Sequence, residues 1–323
     1  MIRAIFNYQQ KAATNVSYQI SADAQRTAVE TADVPYSMAI GKVTEHARSR
    51  LKMHLAASKA VFRYQPQIDL QNGRIAGVES VLCVPGTNEY RPATKLVADI
   101  DAAGLGLALT ESQLQDACRE QRRWLQDFAH DFPIGVPVSN LMLGNELLLP
   151  LARHTLADSG LLPWCLELEV EETALGVSVI ARHAFTCVGD TGMSIAVNGF
   201  NATYANLRVL AMSPISKVRV AALPLLRSGP DTLEKIVFGG ILGAARGLGI
   251  SVCATDVNSP EVLAAVLRHG RPLAQGTEVA PMLDSAGFLQ YLRDRNETTA
   301  TLPTLHPAEV RSARPVGFDA IPA

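Results

Sequence analysis

The sequence predicts an α/β fold: a closed (β/α)8 barrel of TIM type whose first strand runs antiparallel to its neighbour. Three observations lead there. From about residue 94 to residue 293, short apolar runs alternate with helix-length stretches, the pattern of successive parallel βαβ units. The number of repeats suits a closed barrel better than an open sheet. Ahead of them, two strand-like runs flank Gln71-Asn72-Gly73, and an Asn-Gly pair favours a two-residue hairpin between antiparallel strands.

Taken in order, residues 1–41 are polar, rich in Ala, Thr and Gln, and read as a mobile arm that runs into a lead-in helix. Ser37 is a candidate cap for that helix, expected over 38–60, with Ile40, Val43, Leu51 and Leu55 as a broken apolar stripe. Arg48, Arg50 and Lys52 on it read as a solvated basic face, with a phosphate site as the alternative. Strands at 61–70 and 75–82 follow. Helices are expected over 94–102 and 110–127, a strand over 133–138, a helix over 144–157 and a strand over 165–170. The alternation continues with a helix (177–188), a strand (193–197), a helix (204–212), a strand (215–220), a helix (233–246), a strand (250–254) and a helix (260–269). A short strand near Leu273 and a helix from 283 to about 293 complete a barrel placed at residues 42–294. In 295–323, Pro303, Pro307, Pro315 and Pro322 stand among polar residues, so a disordered tail is expected.

Composition narrows the class. Of 323 residues, 48% are hydrophobic and 19% charged, as in a globular chain with one barrel-sized unit and tails. A net charge of -2 gives no general attraction for nucleic acid or an anionic membrane. No segment approaches the ~18 uninterrupted apolar residues of a membrane span, and the first residues lack the apolar core of a secretion signal. The cysteines at 83, 118, 165, 187 and 253 are scattered, include no Cys-x-x-Cys pair and mostly sit in apolar surroundings. They are expected as small core residues, not as a disulfide framework or zinc site, in a reducing cytoplasm.

One carboxylate interrupts the apolar run of the second strand. An ionised Glu79 there is costly unless paired or bound to a metal; a Glu at a strand end near solvent is the alternative. Its surroundings are more specific. Tyr64-Gln65-Pro66, then Asn72-Gly73, then Gly77-Val78-Glu79 resemble the opening of the EAL domain, the bacterial cyclic di-GMP phosphodiesterase family, which typically reads Y-Q-P-I, a turn, and G-V-E-A-L-L-R. Here the Glu-Ala-Leu signature is Glu79-Ser80-Val81, and Cys83 stands where the family has Arg. Further pieces follow in the family's order, between about Val43 and Arg293. Leu168-Glu169-Val170-Glu171-Glu172-Thr173 is similar to L-E-I-T-E-S, and the stretch from Ile195 to Tyr204 to I-A-L-D-D-F-G-T-G-Y. Ser216-Lys217-Val218-Arg219 is similar to L-K-I-D, the stretch from Ala254 to Asn258 to A-E-G-V-E, and Ala274-Gln275-Gly276 with Pro281 to the closing A-Q-G…P. The resemblance implies the EAL variant of the barrel, with its antiparallel first strand.

In such a barrel the site lies at the C-terminal ends of the strands. Cleaving a phosphodiester with two metal ions calls for several converging hard oxygen ligands, one of them bridging, so that bound water becomes hydroxide near neutral pH. The resemblance gives Glu79 and Glu169 metal-ligand positions, Glu172 the place of a Glu that steadies the next loop, and Lys217 the place of the family's Lys. A solvated acidic edge is the alternative for the 169–172 cluster. The resemblance also exposes losses. Pro137 stands for an Asn ligand, unless Asn140 is reached by a register slip; Asn198 and Gly199 stand for two Asp, one of which bridges the metals. Asn201 and Thr203 replace glycines of the same loop, which alters its backbone options. Thr255 replaces a metal-binding Glu, and Asp256 beside it faces elsewhere if the strand keeps register. Arg219 reverses the charge of an Asp. No metal or cofactor is therefore expected, and Glu79, Glu169, Glu172 and Lys217 are read as vestiges of a catalytic site.

Three functions compete. An active phosphodiesterase lacks ligands and charge balance. A receptor that binds cyclic di-GMP without cutting it would use Gln65, Pro66, Lys217, Arg219 and Gln275, although the phosphate-contacting Arg has become Cys83. The favoured reading is a non-catalytic regulator in bacterial control of motility, biofilm or virulence, whose surface binds another protein such as a transcriptional or signalling regulator. With no second catalytic or transmitter domain expected, its output would come from the barrel or its tails. Neither nucleic acid nor membrane is an expected partner. The resemblance also implies dimerisation near the fourth and fifth strands, where the loop from Asn198 to Thr203 contributes.

Overall fold

The computed structural model describes residues 44–87, 89–128, 132–177, 179–201, 210, 214–227 and 232–301. The expected arm, most of the helix over 204–212 and the tail beyond residue 301 lie outside the described residues.

The strands are β1 (Val61–Asp69), β2 (Ile75–Pro85), β3 (Tyr90–Pro92), β4 (Ile134–Pro137), β5 (Leu166–Glu171), β6 (Ser194–Asn198), β7 (Ile215–Ala221), β8 (Ser251–Thr255) and β9 (Leu273–Ala274). Their order is β1-β9-β8-β7-β6-β5-β4-β2-β3, and β1 also pairs with β2, so eight strands close into a barrel with β3 attached outside it. β1 is antiparallel to both neighbours, and β2 and β4 to β9 are mutually parallel. The barrel and its antiparallel first strand are as the sequence predicts. β3, paired with the end of β2 through Cys83 and Pro92, was not expected.

The hairpin is wider than an Asn-Gly turn alone would make it. Asp69 N–H donates to Arg74 O at 2.9 Å, and Gly73 N–H reaches back to Asp69 O at 2.7 Å. Asp69 also accepts from Gln71 N–H and from the Asn72 side chain, an Asx-type arrangement that draws the loop around its carboxylate. Gly73 takes the left-handed φ of 73° that this closure needs.

Helices α1 (Glu45–Ala57), α2 (Thr94–Ala102), α3 (Gly106–Asp127), α4 (Asn140–Leu143), α5 (Leu148–Asp158), α6 (Thr173–Val177), α7 (Val179–Thr191), α8 (Leu233–Leu248), α9 (Pro260–Arg268) and α10 (Ser285–Thr301) are described. Thr44 caps α1, its hydroxyl accepting from Ala47 N–H; the expected cap Ser37 and the expected helical stretch 38–43 lie outside the described residues. Arg48 is not part of a solvated basic face. Its guanidinium holds the buried Glu111 through two 2.8 Å hydrogen bonds and pins α1 to α3. α10 runs to Thr301, into the stretch expected as tail.

Strand alternation sorts the core into two zones. Outward residues such as Leu166, Leu168, Val170, Ile195, Val197, Val218 and Val220 are buried beneath the helices. Tyr64, Trp124 and Phe288 form an aromatic cluster linking β1, α3 and α10, with Tyr64 and Trp124 edge to face at 5.0 Å. Inside the barrel the fill is polar: Gln67, Glu167, Glu169, Lys217, Arg219 and Gln275 are all buried.

Candidate functional site

Inward positions of β1, β2, β5 and β7, with Gln275 just after β9, build two stacked polar layers. The deeper one centres on Lys217. Its Nζ donates to Gln67 Oε1 and to Glu167 Oε1, each at 2.7 Å, and Ser216 Oγ donates to Glu167 Oε2 at 2.9 Å. Gly77 makes room for it: a Cβ there would stand 2.7 Å from Gln67 Oε1 and 3.3 Å from Lys217 Nζ.

The upper layer lies nearer the strands' C-terminal ends and centres on Arg219. Its Nη1 donates to Glu169 Oε2, and its Nη2 donates to Glu79 Oε2 at 2.6 Å and to Gln275 Oε1 at 2.9 Å. Gln275 Nε2 donates in turn to Glu79 Oε2 and, at 3.2 Å, to Gln65 Oε1. The two layers touch where Gln67 Nε2 donates to Gln275 Oε1 at 3.2 Å. The side chains of Glu79, Glu169 and Arg219 are 12%, 0% and 7% exposed, so little water screens their charges. A side chain at Gly135 would collide with the Glu169 carboxylate, so glycine is needed there for space.

This environment drives the two acids apart. Burial alone would raise the Glu79 carboxyl, but the Arg219 charge and hydrogen bonds from Arg219, Gln275 and Glu169 hold it below its usual value. Burial pushes Glu169 up to about 8; the Arg219 charge offsets this only in part, and the nearby Glu79 and Glu167 charges add to it. Burial works against the Arg219 charge, yet Glu169 and Glu79 raise its pKa above the ordinary arginine value.

The remaining candidates lie around this centre or away from it. Glu172 joins the end of β5 to the loop after β6: its Oε2 accepts from Asn201 N–H at 3.2 Å, and its own N–H donates to Asn198 O at 2.9 Å. Asn198 Oδ1 is buried and has no hydrogen-bond partner among the described residues. Gly199 takes a φ of 63°, and Pro137 ends β4 beside Glu169 with no oxygen in its side chain. Asn140 is not drawn in by a register slip, since its side-chain amide donates to Thr173 Oγ1 at 3.0 Å. Thr255 is half-buried at the end of β8, and Asp256 turns to solvent.

Pro66 does not belong with the group proposed for a nucleotide. Gln65 and Gln67 face the barrel interior, so alternation places Pro66, opposite Val78, on the helix side. Cys83 is buried with its Sγ 3.2 Å from Met282 Sδ, and burial lifts its thiol to about 11. Gln67 and Glu167 are functional neighbours that the motif reading missed. The Leu166-Glu167-Leu168-Glu169-Val170 alternation was the signal, because it sends both glutamates to one face.

Comparison with known proteins agrees with this architecture. The EAL domain profile matches residues 48–282. The chain is similar to an uncharacterized protein of Sinorhizobium fredii, y4lL (26% identical, covering 79% of this chain and 31% of that protein). It is also similar to the bifunctional diguanylate cyclase/cyclic di-GMP phosphodiesterase MucR of Pseudomonas aeruginosa (25% identical, covering 70% of this chain and 33% of that protein). Among solved structures, the PaMucR phosphodiesterase in complex with c-di-GMP matches with a TM-score of 0.67 at 23% identity, over 75% of this chain and 99% of that chain. The chain spans about a third of the length of these curated relatives. The closed barrel, its antiparallel first strand and the profile match across most of the sequence make this chain a member of the EAL-domain family of cyclic di-GMP signalling.

Proposed function

We propose that this protein is a non-catalytic EAL regulator of the cytoplasm, which does not hydrolyse cyclic di-GMP and acts by binding another protein. The observation that carries the reading is the position of Arg219. Its guanidinium sits between Glu79 and Glu169, the two acids that the family resemblance would assign to metals. Two divalent cations need several anionic oxygens. Here both acids are already engaged by a cation, and Pro137 and Gly199 bring no side-chain oxygen. Among the described residues, no three His, Cys, Asp or Glu side chains converge as a metal site. The donor set does not fit a metal pair.

Binding of the nucleotide without cleavage is disfavoured by the same contacts. Lys217 and Arg219, the cations available for phosphate, are committed to Glu167, Glu79 and Glu169. Cys83 offers no charge. Support for a protein partner comes from the surface instead. Leu223 and Leu226, on the short turn after β7, and Leu233 and Ile236, at the start of α8, are exposed; the Arg227–Glu234 ion pair links the two segments. Exposed apolar side chains grouped in this way mark interaction surfaces. Among the described residues, no helix is long and apolar enough to cross a membrane.

Calorimetric titration of cyclic di-GMP into the purified protein, with and without magnesium or manganese, tests the reading, alongside chromatography of the mixture for hydrolysis product. The expected result is neither heat of binding nor product. Micromolar binding would replace the adaptor with a nucleotide receptor, and product formation would refute the non-catalytic reading outright.

A further inference from the structure

Two acids, an amide oxygen and one cation meet at a single point of the barrel mouth. Glu79 comes from β2, Glu169 from β5 and Arg219 from β7, while Gln275 follows β9, so four separate chain segments converge there. Glu79 Oε2, Glu169 Oε2 and Gln275 Oε1 all point at the guanidinium. These are hard oxygen donors of the kind that magnesium, manganese and calcium take. Glu169 Oε1 is fully buried and, among the described residues, accepts no hydrogen bond, so this oxygen set has unused capacity.

We propose that the Arg219 guanidinium is the resident cation of the mouth. A side chain of the protein itself fills the place where two buried acids and an amide oxygen would gather a divalent metal ion. The inference rests on the non-catalytic reading of this mouth and says how the acids survive there. Two carboxylates in so dry a place repel each other and require a counter-charge. Arginine supplies one that cannot dissociate and keeps its proton across the physiological range. Its planar fork also reaches both acids at once. Both acids are therefore paired with a charge of the protein's own, whatever the metal concentration around them. Removing the guanidinium should turn the same oxygens into a divalent-cation site.

The test uses the full chain in three forms: wild type, Arg219→Ala, and a neutral triple variant carrying Glu79→Gln, Glu169→Gln and Arg219→Met. Thermal melting is followed in EDTA and in manganese chloride, and manganese binding is counted by electron paramagnetic resonance. Wild type is expected to melt at the same temperature in both. Arg219→Ala is expected to melt lower in EDTA and to recover by about 5 °C with saturating manganese, taking up one ion per chain. The triple variant is expected to fold and to ignore manganese. Stabilisation of wild type by manganese, or a folded Arg219→Ala that binds none, would overturn the proposal. If Arg219→Ala does not fold under either condition, the triple variant decides. A folded triple variant means that counter-charge is the missing element, and an unfolded one means that Arg219 acts by packing and the proposal fails. A folded Arg219→Ala that binds no manganese would overturn this proposal and leave the proposed function standing, whereas heat or hydrolysis in the cyclic di-GMP titration would overturn the proposed function on its own.

Discussion

Replacing Lys217 by methionine removes the charge at the centre of the deeper polar layer while keeping a chain of similar length. Lys217 and Glu167 are 5% and 2% exposed and meet at 2.7 Å. Losing the ammonium removes the charged partner of the buried Glu167, which keeps only the Ser216 hydroxyl, and leaves Gln67 Oε1 without its donor. Breaking a buried pair from one side costs about 3–5 kcal/mol, and each kcal/mol lowers Tm by roughly 2–4 °C in a domain of this size, so a fall of roughly 10 °C is expected. Urea unfolding of Lys217→Met, Glu167→Gln and the double variant, followed by circular dichroism, measures the coupling directly. The double variant should recover about 2 kcal/mol or more relative to the sum of the single changes. A loss below about 1 kcal/mol in Lys217→Met, or strict additivity in the cycle, would refute the account of this layer as a mutually dependent ion pair.

Other outcomes follow from the same geometry. Because the Glu169 carboxyl is raised in the folded state to about 8, that state binds more protons than the unfolded chain between the ordinary Glu value and pH 8. Stability should therefore fall as pH rises through that window, and Glu169→Gln should flatten the slope of Tm against pH. A wild-type slope of the opposite sign would show that Glu169 is ionised in the fold. Gly77→Ala places a methyl group against Gln67 Oε1 and should destabilise by about 1–3 kcal/mol in urea unfolding; an unchanged midpoint would mean that the interior is looser than these contacts require. Arg48→Ala leaves the buried Glu111 unpaired, and hydrogen exchange should then show α1 losing protection while the barrel strands keep theirs. Uniform loss across the chain would contradict α1 as a separately anchored element.

The barrel was readable because its strands and helices repeat with few interruptions, and the strands over 165–170 and 215–220 lie within a residue of β5 and β7. The misses have local causes. The hairpin loop is set by Asp69, a residue ahead of the Asn-Gly pair that drew attention. β3 is three residues long and has no periodicity to detect. At the site, the identity of Arg219 was visible, but its pairing was not. It requires β2, β5 and β7 to bring residues far apart in the chain into one layer, information that only the closed sheet contains. Pro66 shows the converse error, since a motif neighbour in sequence is an opposite face in a strand.

The seam between β1 and β9 has its own consequence for how the chain reaches this state. β9 pairs with β1 at just Ile68–Ala274 and Asp69–Leu273, backed by the Tyr64–Leu283 bridge. These contacts join residues some two hundred positions apart, the longest loop the barrel has to close, while β1 and β2 meet across a single short turn. Loop-closure entropy favours the hairpin as an early event and the seam as a late one. Until that last pairing forms, the parallel strands have two open edges and the interior charges are wet. Completion of the ring and burial of the ions are therefore one event, and the shortest strand in the barrel sets when it happens.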